Sequence, residues 1–388
     1  MKKLALVTII GLILSGCGGG GGSDNGSTPK PDIKPEAKPA LVEGTIDTVN
    51  GSNITVNGRS YQVASVNYAN TPLADGVSVL KPQMMVQVSD VAKAGATVFL
   101  DPTLLGQVTA VNHTTHTFTV NGVELSFAQL NKDIEINDWV MVSALPMATE
   151  TGVGYKVLSV IEVENTDLAG KYELEGTLSQ LDSVASTFKL GQVVVDYANI
   201  QLDPTIGNGD WVEVTGEMID GAFVATEVEV DNYDDNEDFD DAEIEGVVTW
   251  INKEKTLFTL NARGQFVINN STRFEDGAQH NLKTGTLVEV TAINGVAKEI
   301  EFDRDHDSDH DHDQGTWSEF DVEGIVSYVM DSTITLYGVQ QPVYVDNMTR
   351  YEDRLTLATL PGKRVEIEGI VRNGQKIARE IELEELDD

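Results

Sequence analysis

The chain has one cysteine, few aromatic residues and few basic residues, and each scarcity excludes a class of protein. Of its 388 residues, 6% are aromatic, and 26 Lys plus Arg stand against 63 Asp plus Glu, which gives a formal net charge of −37. A single cysteine cannot form an internal disulfide framework or a multi-cysteine zinc site. A charge of this size and sign repels a phosphate backbone, so we expect no nucleic-acid partner.

The lone cysteine follows an N-terminal leader. Lys2 and Lys3 precede an apolar run over 4–14, which is too short to span a bilayer as a helix but fits the hydrophobic region of a signal peptide. The run ends in Leu-Ser-Gly-Cys at 14–17, which resembles the lipobox of bacterial lipoproteins. The resemblance implies a signal peptide over 1–16 and acylation of Cys17. Because residue 18 is Gly rather than Asp, it also implies sorting to the outer membrane, facing the periplasm or the cell surface.

The segment after the cysteine has no apolar period. Residues 17–40 contain a glycine run at 18–22 and prolines at 29, 31, 35 and 39. This composition is typical of a flexible tether. We expect the lipid on Cys17 and this tether to hold the folded part at the membrane.

The remainder contains five copies of one pattern. Each copy opens on a glycine inside an apolar run, continues with a Val-x-Val block and, in most copies, closes with strict alternation of the form Ala-x-Glu-Ile-Glu. A period of two that is rich in Val, Ile and Thr predicts half-buried antiparallel strands with the alternating Glu residues facing solvent. Asn-Gly pairs between the blocks fit two-residue hairpin turns. The opening glycines are Gly44, Gly106, Gly176, Gly246 and Gly324, and the predicted repeats span 41–100, 101–165, 166–230, 242–302 and 319–388.

Five or six short strands in each repeat would close into a small barrel. We therefore predict an all-β protein of five tandem small OB-like β-barrels, with small β-sandwiches as the alternative. The opening glycine inside a strand indicates a bulge or bend at a barrel corner. The pattern also resembles a family of β-rich repeats of unknown function found in secreted and lipid-anchored bacterial proteins. That resemblance covers most of the chain after the tether and implies no activity.

Two acidic linkers separate the later repeats. The first, 231–241, has some calcium-loop spacing but carries Phe239 where such a loop needs Gly, so we interpret it as a solvated linker. The second, 303–318, alternates Asp with other residues and includes three histidines. Carboxylates suit Ca²⁺ and imidazoles suit Zn²⁺, so the segment is either a charged spacer or a weak metal-binding site. The candidate metal ligands are Asp303, Asp305, His306, Asp307, Asp309, His310, Asp311, His312 and Asp313.

No nucleotide-binding loop, nucleophile elbow or zinc-protease helix is found in the sequence. We therefore expect a non-enzymatic lipoprotein whose repeats form an extended rod or arc and present a surface to an envelope protein or a glycan. A metal-binding lipoprotein that acts through the Asp/His segment is the alternative. An enzyme is a third interpretation, and it would need a concave site with converging carboxylates.

Overall fold

The structure is a computed structural model that describes residues 39–69, 71–74, 76–91, 95–149, 152–163, 168, 170–233, 241–303 and 318–384. Within these ranges the protein is all-β, with short 3₁₀ turns and no α-helix. None of the described segments is a helix with the length and apolar character that crossing a bilayer requires.

The first two repeats contain eleven strands between them. In repeat one these are β1 Leu41–Asn50, β2 Asn53–Val56, β3 Arg59–Tyr68, β4 Thr71–Pro72, β5 Met85–Val91 and β6 Gly95–Leu100. In repeat two they are β7 Leu104–Asn112, β8 Thr117–Val120, β9 Val123–Ser126, β10 Trp139–Thr149 and β11 Gly152–Glu162.

The other three repeats follow the same plan. Repeat three has β12 Tyr172–Asp182, β13 Thr187–Leu190, β14 Val193–Asp196, β15 Trp211–Ile219 and β16 Ala222–Val230. Repeat four has β17 Asp241–Ile251, β18 Leu257–Leu260, β19 Gly264–Val267, β20 Arg273–Glu275, β21 Leu287–Ile293 and β22 Val296–Phe302. Repeat five has β23 Glu319–Met330, β24 Thr333–Leu336, β25 Val343–Tyr344, β26 Arg350–Tyr351, β27 Arg364–Arg372 and β28 Gln375–Leu383.

Four repeats close into small five-stranded barrels, which confirms the predicted fold. In repeat three, β12 pairs with β13, β13 with β14, β14 in parallel with β16, β16 with β15, and β15 back with β12. Repeats one, four and five close through the same order of strands. Each barrel has an apolar interior, because alternate residues of every strand point inward.

The opening glycine lies just before a register shift in the first strand of the repeat, as the sequence predicts. It also leaves space for the hairpin turn between the second and third strands. A Cβ on this glycine would lie 2.0 Å from the side-chain oxygen of a turn asparagine in repeats one and two, and 2.4 Å away in repeat four. These asparagines donate to the carbonyl of the residue before the glycine, and they are Asn57, Asn121 and Asn261.

The expectation of an extended rod, in which each repeat contacts only its neighbours in sequence, is wrong for the described residues. The first strand of repeat one pairs in parallel with that of repeat four, Leu41 opposite Ala242. The first strands of repeats two and three pair antiparallel, Leu104 opposite Leu174. Because β1 and β17 are joined by main-chain hydrogen bonds, repeats that are far apart in sequence are held side by side.

The alternating Glu residues of the closing strands are exposed or partly exposed, and they are Glu227, Glu229, Glu299, Glu301, Glu380 and Glu382. A different set of Glu residues, on the first strands, is buried. The carboxylates on the first strands lie where repeats meet, and they are at most 4% exposed at Glu43, Glu173, Glu175 and Glu243. The contacts between repeats therefore enclose charge as well as apolar surface.

Candidate functional site

Repeat two differs from the other repeats because its barrel is not closed in the described structure. In the other four repeats the third strand pairs in parallel with the last strand. The corresponding strands of repeat two are β9 and β11, and no pairing joins them in the part of the chain that the structure describes. An open seam therefore runs along the barrel between them.

Tyr155 joins β11 to repeat three. Its hydroxyl donates to the carbonyl oxygen of Glu175 in repeat three at 2.6 Å. The same hydroxyl occupies the space above Gly176, where a Cβ would lie 2.8 Å from it. Tyr155 thus fills in repeat three the space that a turn asparagine fills in repeats one, two and four, and it joins β11 to repeat three.

The seam opens into a cavity of about 1300 Å³ that also involves repeats three and four. This volume exceeds that of most pockets for drug-sized molecules, so it suits an extended ligand. Its apolar lining includes Leu125, Phe127, Val157, Leu158, Val193 and Phe302. Its polar lining includes Gln83, Glu124, Gln129, Lys156, Gln192, Asp276, Asn281, Lys283 and Asp303.

The cavity carries both signs of charge, although the chain as a whole is strongly acidic. Burial lowers the pKa of Lys156, and the nearby carboxylate of Asp303 opposes that shift. Lys283 lines the same cavity. The amides, carboxylates and ammonium groups of the lining can form hydrogen bonds with a hydroxyl-rich ligand, and the apolar lining residues can contact its less polar faces.

A second feature is a buried ionic cluster where repeats one, three and four meet. Arg263 donates to Glu43 at 2.8 Å and also contacts the carboxylate of Asp231. Tyr233 donates its hydroxyl to Glu43 at 2.7 Å, and the guanidinium lies 4.5 Å from the centre of its ring. Asn261 donates to the same hydroxyl at 2.9 Å. The geometry satisfies both partners of this ion pair, as burial of charge requires.

The cluster holds more acid than base. Oxygens of Asp101, Glu175 and Asp231 lie within 4.8 Å of one another. Burial raises the pKa of Asp101 to about 6 and that of Glu43 to about 8, with Arg263 opposing both shifts. Burial also raises the pKa of Glu175 well above its usual value. Three such carboxylates are a ligand set for a hard cation, but Arg263 already supplies positive charge beside Asp231.

Burial also raises the pKa values of the neighbouring carboxyl groups of Glu173 and Glu213. Tyr68 donates its hydroxyl to Glu173, and burial together with the charge of Glu213 raises the pKa of Glu173 well above its usual value. Burial raises the pKa of Glu213 to about 7. The centre of the structure therefore contains several carboxyl groups that favour the protonated state.

The site residues predicted from sequence fall mostly outside the described residues. Cys17 and the candidate metal ligands from 305 to 313 lie there, and their predictions stay predictions. Asp303 is described and lines the cavity beside Lys156. The structure differs at the start of the first linker, since Asn232 and Tyr233 are buried rather than solvated. Asn232 donates to Asp210 and accepts from the main chain of Trp211.

Sequence reasoning missed the cavity and the ionic cluster. One signal was present for the cavity, because repeat two has Leu105 before its opening glycine, where repeats one and three have a buried Glu. For the cluster, no pattern links Arg263 with Glu43 across the chain.

The family comparison matches the last three repeats. Residues 175–229, 245–301 and 323–382 match the model of a family described as "Domain of unknown function (DUF5666)". Each is similar to that domain. The matches confirm a tandemly repeated β-rich domain of unknown function. The comparison with curated proteins gives no match. The open barrel of repeat two lies outside the matched residues, whereas the cavity residues of repeats three and four lie within them, apart from Phe302 and Asp303.

Proposed function

We propose that the protein is a non-enzymatic lipoprotein, anchored to the outer membrane through Cys17, that binds a glycan of the cell envelope in the cavity of repeat two. The observation that carries the proposal is the open seam between β9 and β11, because the cavity lies at this described barrel, whose third and last strands are not paired. The mixed lining of amides, carboxylates, lysines and aromatic rings suits a sugar chain. OB-like barrels elsewhere bind oligosaccharides on the same third strand, which supports the proposal by analogy of fold alone.

The glycan proposal is tested by filling the cavity. Ser126 lines the cavity on β9 and is exposed, so Ser126→Trp places a large ring in it without disturbing a core. Ser183→Trp is the matched control, since Ser183 is exposed in a turn of repeat three and does not line the cavity. We expect calorimetry with oligosaccharides from peptidoglycan and lipopolysaccharide to show binding to the wild type and to Ser183→Trp, and a loss of at least tenfold for Ser126→Trp. Equal affinities of the two variants would contradict the proposal.

The anchor is tested separately. A Cys17→Ser protein should no longer take up labelled palmitate and should leave the membrane fraction, because acylation needs the thiol. Protease treatment of intact cells then distinguishes a surface-facing from a periplasm-facing protein.

A second candidate function is divalent-metal binding by the Asp/His segment. The observation that favours it is the position of Asp303, the first residue of that segment, at the cavity beside Lys156. Replacing the Asp and His residues from 305 to 313 by Ser keeps Asp303 and the length of the segment. Calorimetric titration with Ca²⁺ and with Zn²⁺ should show heats for the wild type that this variant lacks. Identical heats from both proteins would reject the candidate.

A further inference from the structure

The first strand of repeat five has an edge with which no other described strand pairs. In repeats one to four, the first strand pairs on this edge with the first strand of another repeat, β1 with β17 and β7 with β12. In repeat five, β23 pairs with β24 and β27, and no described strand of another repeat lies against its first half. Five repeats form two such pairs, and β23 is left over.

The residue two before the opening glycine is buried in the four repeats whose first strands pair, and it is partly exposed in repeat five. Two residues before the opening glycine, Val42, Leu104, Leu174 and Ile244 are at most 1% exposed. The equivalent residue of repeat five, Val322, is partly exposed, and its neighbour Glu323 is exposed.

Apolar side chains beside this edge are uncovered as well. Ile325 is 40% exposed and Tyr328 is 54% exposed. Their equivalents in repeat four are Val247 and Trp250, which are 0% and 1% exposed because they pack against other repeats. Repeat five thus keeps apolar residues at positions that contacts between repeats bury elsewhere.

The main-chain groups on this edge are directed for strand addition. In repeat three, Glu175 donates its N–H to the carbonyl of Thr103 across the β7–β12 pair at 3.0 Å. Glu323 is its equivalent. Tyr337, the residue after β24, donates its N–H to the carbonyl of Ile325 on this side of β23. Because main-chain groups alternate along a strand, the N–H and C=O of Glu323, two residues earlier, point to the open edge.

The side chains on one face of β23 are acidic, which limits the kind of segment that can bind there. Asp321 and Glu323 share one face of β23, and they lie opposite Glu368 and Glu366 of β27. Lys253 of repeat four lies 3.7 Å from Asp321 and 3.5 Å from Glu366, and its side chain is 62% exposed. This face is therefore strongly acidic.

In the equivalent strands of repeats one and four, an arginine forms an ion pair with an acidic side chain. Glu43 of β1 meets Arg263 at 2.8 Å, and Glu243 of β17 meets Arg59 at 2.8 Å. A second copy of β23 in the antiparallel register of β7 and β12 would instead place Asp321 opposite Glu323, and like charges opposite each other destabilise a strand pair.

We propose that the open edge of β23 binds an extended cationic segment of another protein by strand addition. The added strand contributes main-chain hydrogen bonds to Glu323, basic side chains over the face of Asp321 and Glu323, and apolar side chains on the face of Val322. The site is independent of the cavity in repeat two, so it stands whether or not a glycan binds there.

The test uses the full folded chain and labelled ten-residue peptides. Fluorescence anisotropy is measured with a peptide of alternating valine and arginine, with the same peptide methylated on alternate main-chain nitrogens, and with a peptide of alternating valine and glutamate. Methylation keeps the charge and removes the hydrogen bonds that strand addition needs. We expect saturable binding of the first peptide, at least tenfold weaker binding of the second, and none of the third.

Two variants locate the binding. Glu323→Pro removes the N–H at the open edge and is compatible with an edge strand, so we expect at least a tenfold loss. Glu323→Lys reverses the charge, so it should weaken the arginine peptide and admit the glutamate peptide. Glu217→Lys is the matched control, an exposed residue on β15 with the same charge change. All variants are compared only after their melting temperatures match that of the wild type.

Three results would overturn the proposal. The first is equal binding of the methylated and unmethylated arginine peptides, which would mean attraction by net charge alone. The second is an equal effect of Glu323→Lys and Glu217→Lys. The third is a dimer in sedimentation that Glu323→Pro abolishes, because a second copy would then be the occupant of the edge.

Discussion

Raising the pH from 5 to 8 should destabilise the folded repeats. Burial raises the pKa of Asp101 to about 6, of Glu213 to about 7 and of Glu43 to about 8. A carboxyl whose pKa is higher in the folded than in the unfolded chain binds its proton more tightly when folded. Its contribution is complete below the unfolded pKa, near 4, and is lost as the pH rises through the folded pKa.

The size of the effect follows from two of these groups. One pKa unit corresponds to about 1.4 kcal/mol. With folded values of about 6 and about 7, the contribution of Asp101 to stability falls by about 1 kcal/mol and that of Glu213 by about 2–3 kcal/mol between pH 5 and pH 8 if they titrate independently. Because these carboxyls lie near one another and titrate together, we expect a total on the order of 3 kcal/mol.

The assay is urea unfolding at pH 5, 6, 7 and 8, followed by far-ultraviolet circular dichroism and tryptophan fluorescence. Glu213→Gln removes one titrating group, so its free energy of unfolding should vary less with pH than that of the wild type. Glu217→Gln, an exposed change on the same strand, should keep the wild-type dependence. Stability that stays constant or rises from pH 5 to pH 8, or equal pH dependence of the two variants, would refute the reasoning.

Three further changes test the packing, each by urea unfolding. Arg263→Met leaves Glu43 and its neighbours without their cation, so the free energy of unfolding should fall by about 3–5 kcal/mol at pH 8 and by less at pH 5. The control is Arg273→Met, which should change it little because that side chain is 64% exposed. Gly44→Ala brings a Cβ within 2.0 Å of the Asn57 side chain, so we expect a loss of about 1–3 kcal/mol, and a smaller further loss from Asn57→Ala in that background than in the wild type. Trp250→Ala removes the side chain that packs against repeat five, so the free energy of unfolding should fall by about 3–5 kcal/mol. Equal stability of this variant and the wild type would contradict the expectation.

The barrels themselves could be predicted because their determinants are local. Alternating apolar residues fix which face of a strand is buried, and the Asn-Gly pairs fix the turns. The bend at the opening glycine could also be predicted, since a bulge is one of the few reasons for glycine within a strand. The partner of that glycine could not, because Asn57 reaches Gly44 only after the hairpin has folded.

The pairing of the repeats could not be predicted, because each first strand carries nearly the same pattern. Nothing local distinguishes β17 from β12 as the partner of β1, so the choice depends on side chains that act only at the contact, such as Arg263 with Glu43. For the same reason a buried Glu43 and an exposed Glu323 look alike in sequence. The expectation of a rod or arc of repeats followed from treating all repeats as equivalent.

The candidate site arises where that equivalence fails. Repeat two has Leu105 at the position of Glu43 and Glu175, and Leu105 lies opposite Glu173 of repeat three and packs in the apolar cluster of repeat one. Tyr155 then takes the space above Gly176 and holds β11 on repeat three. We expect Tyr155→Phe, which removes the hydroxyl that donates to Glu175, to release β11 from this contact, bring it closer to β9 and reduce the cavity.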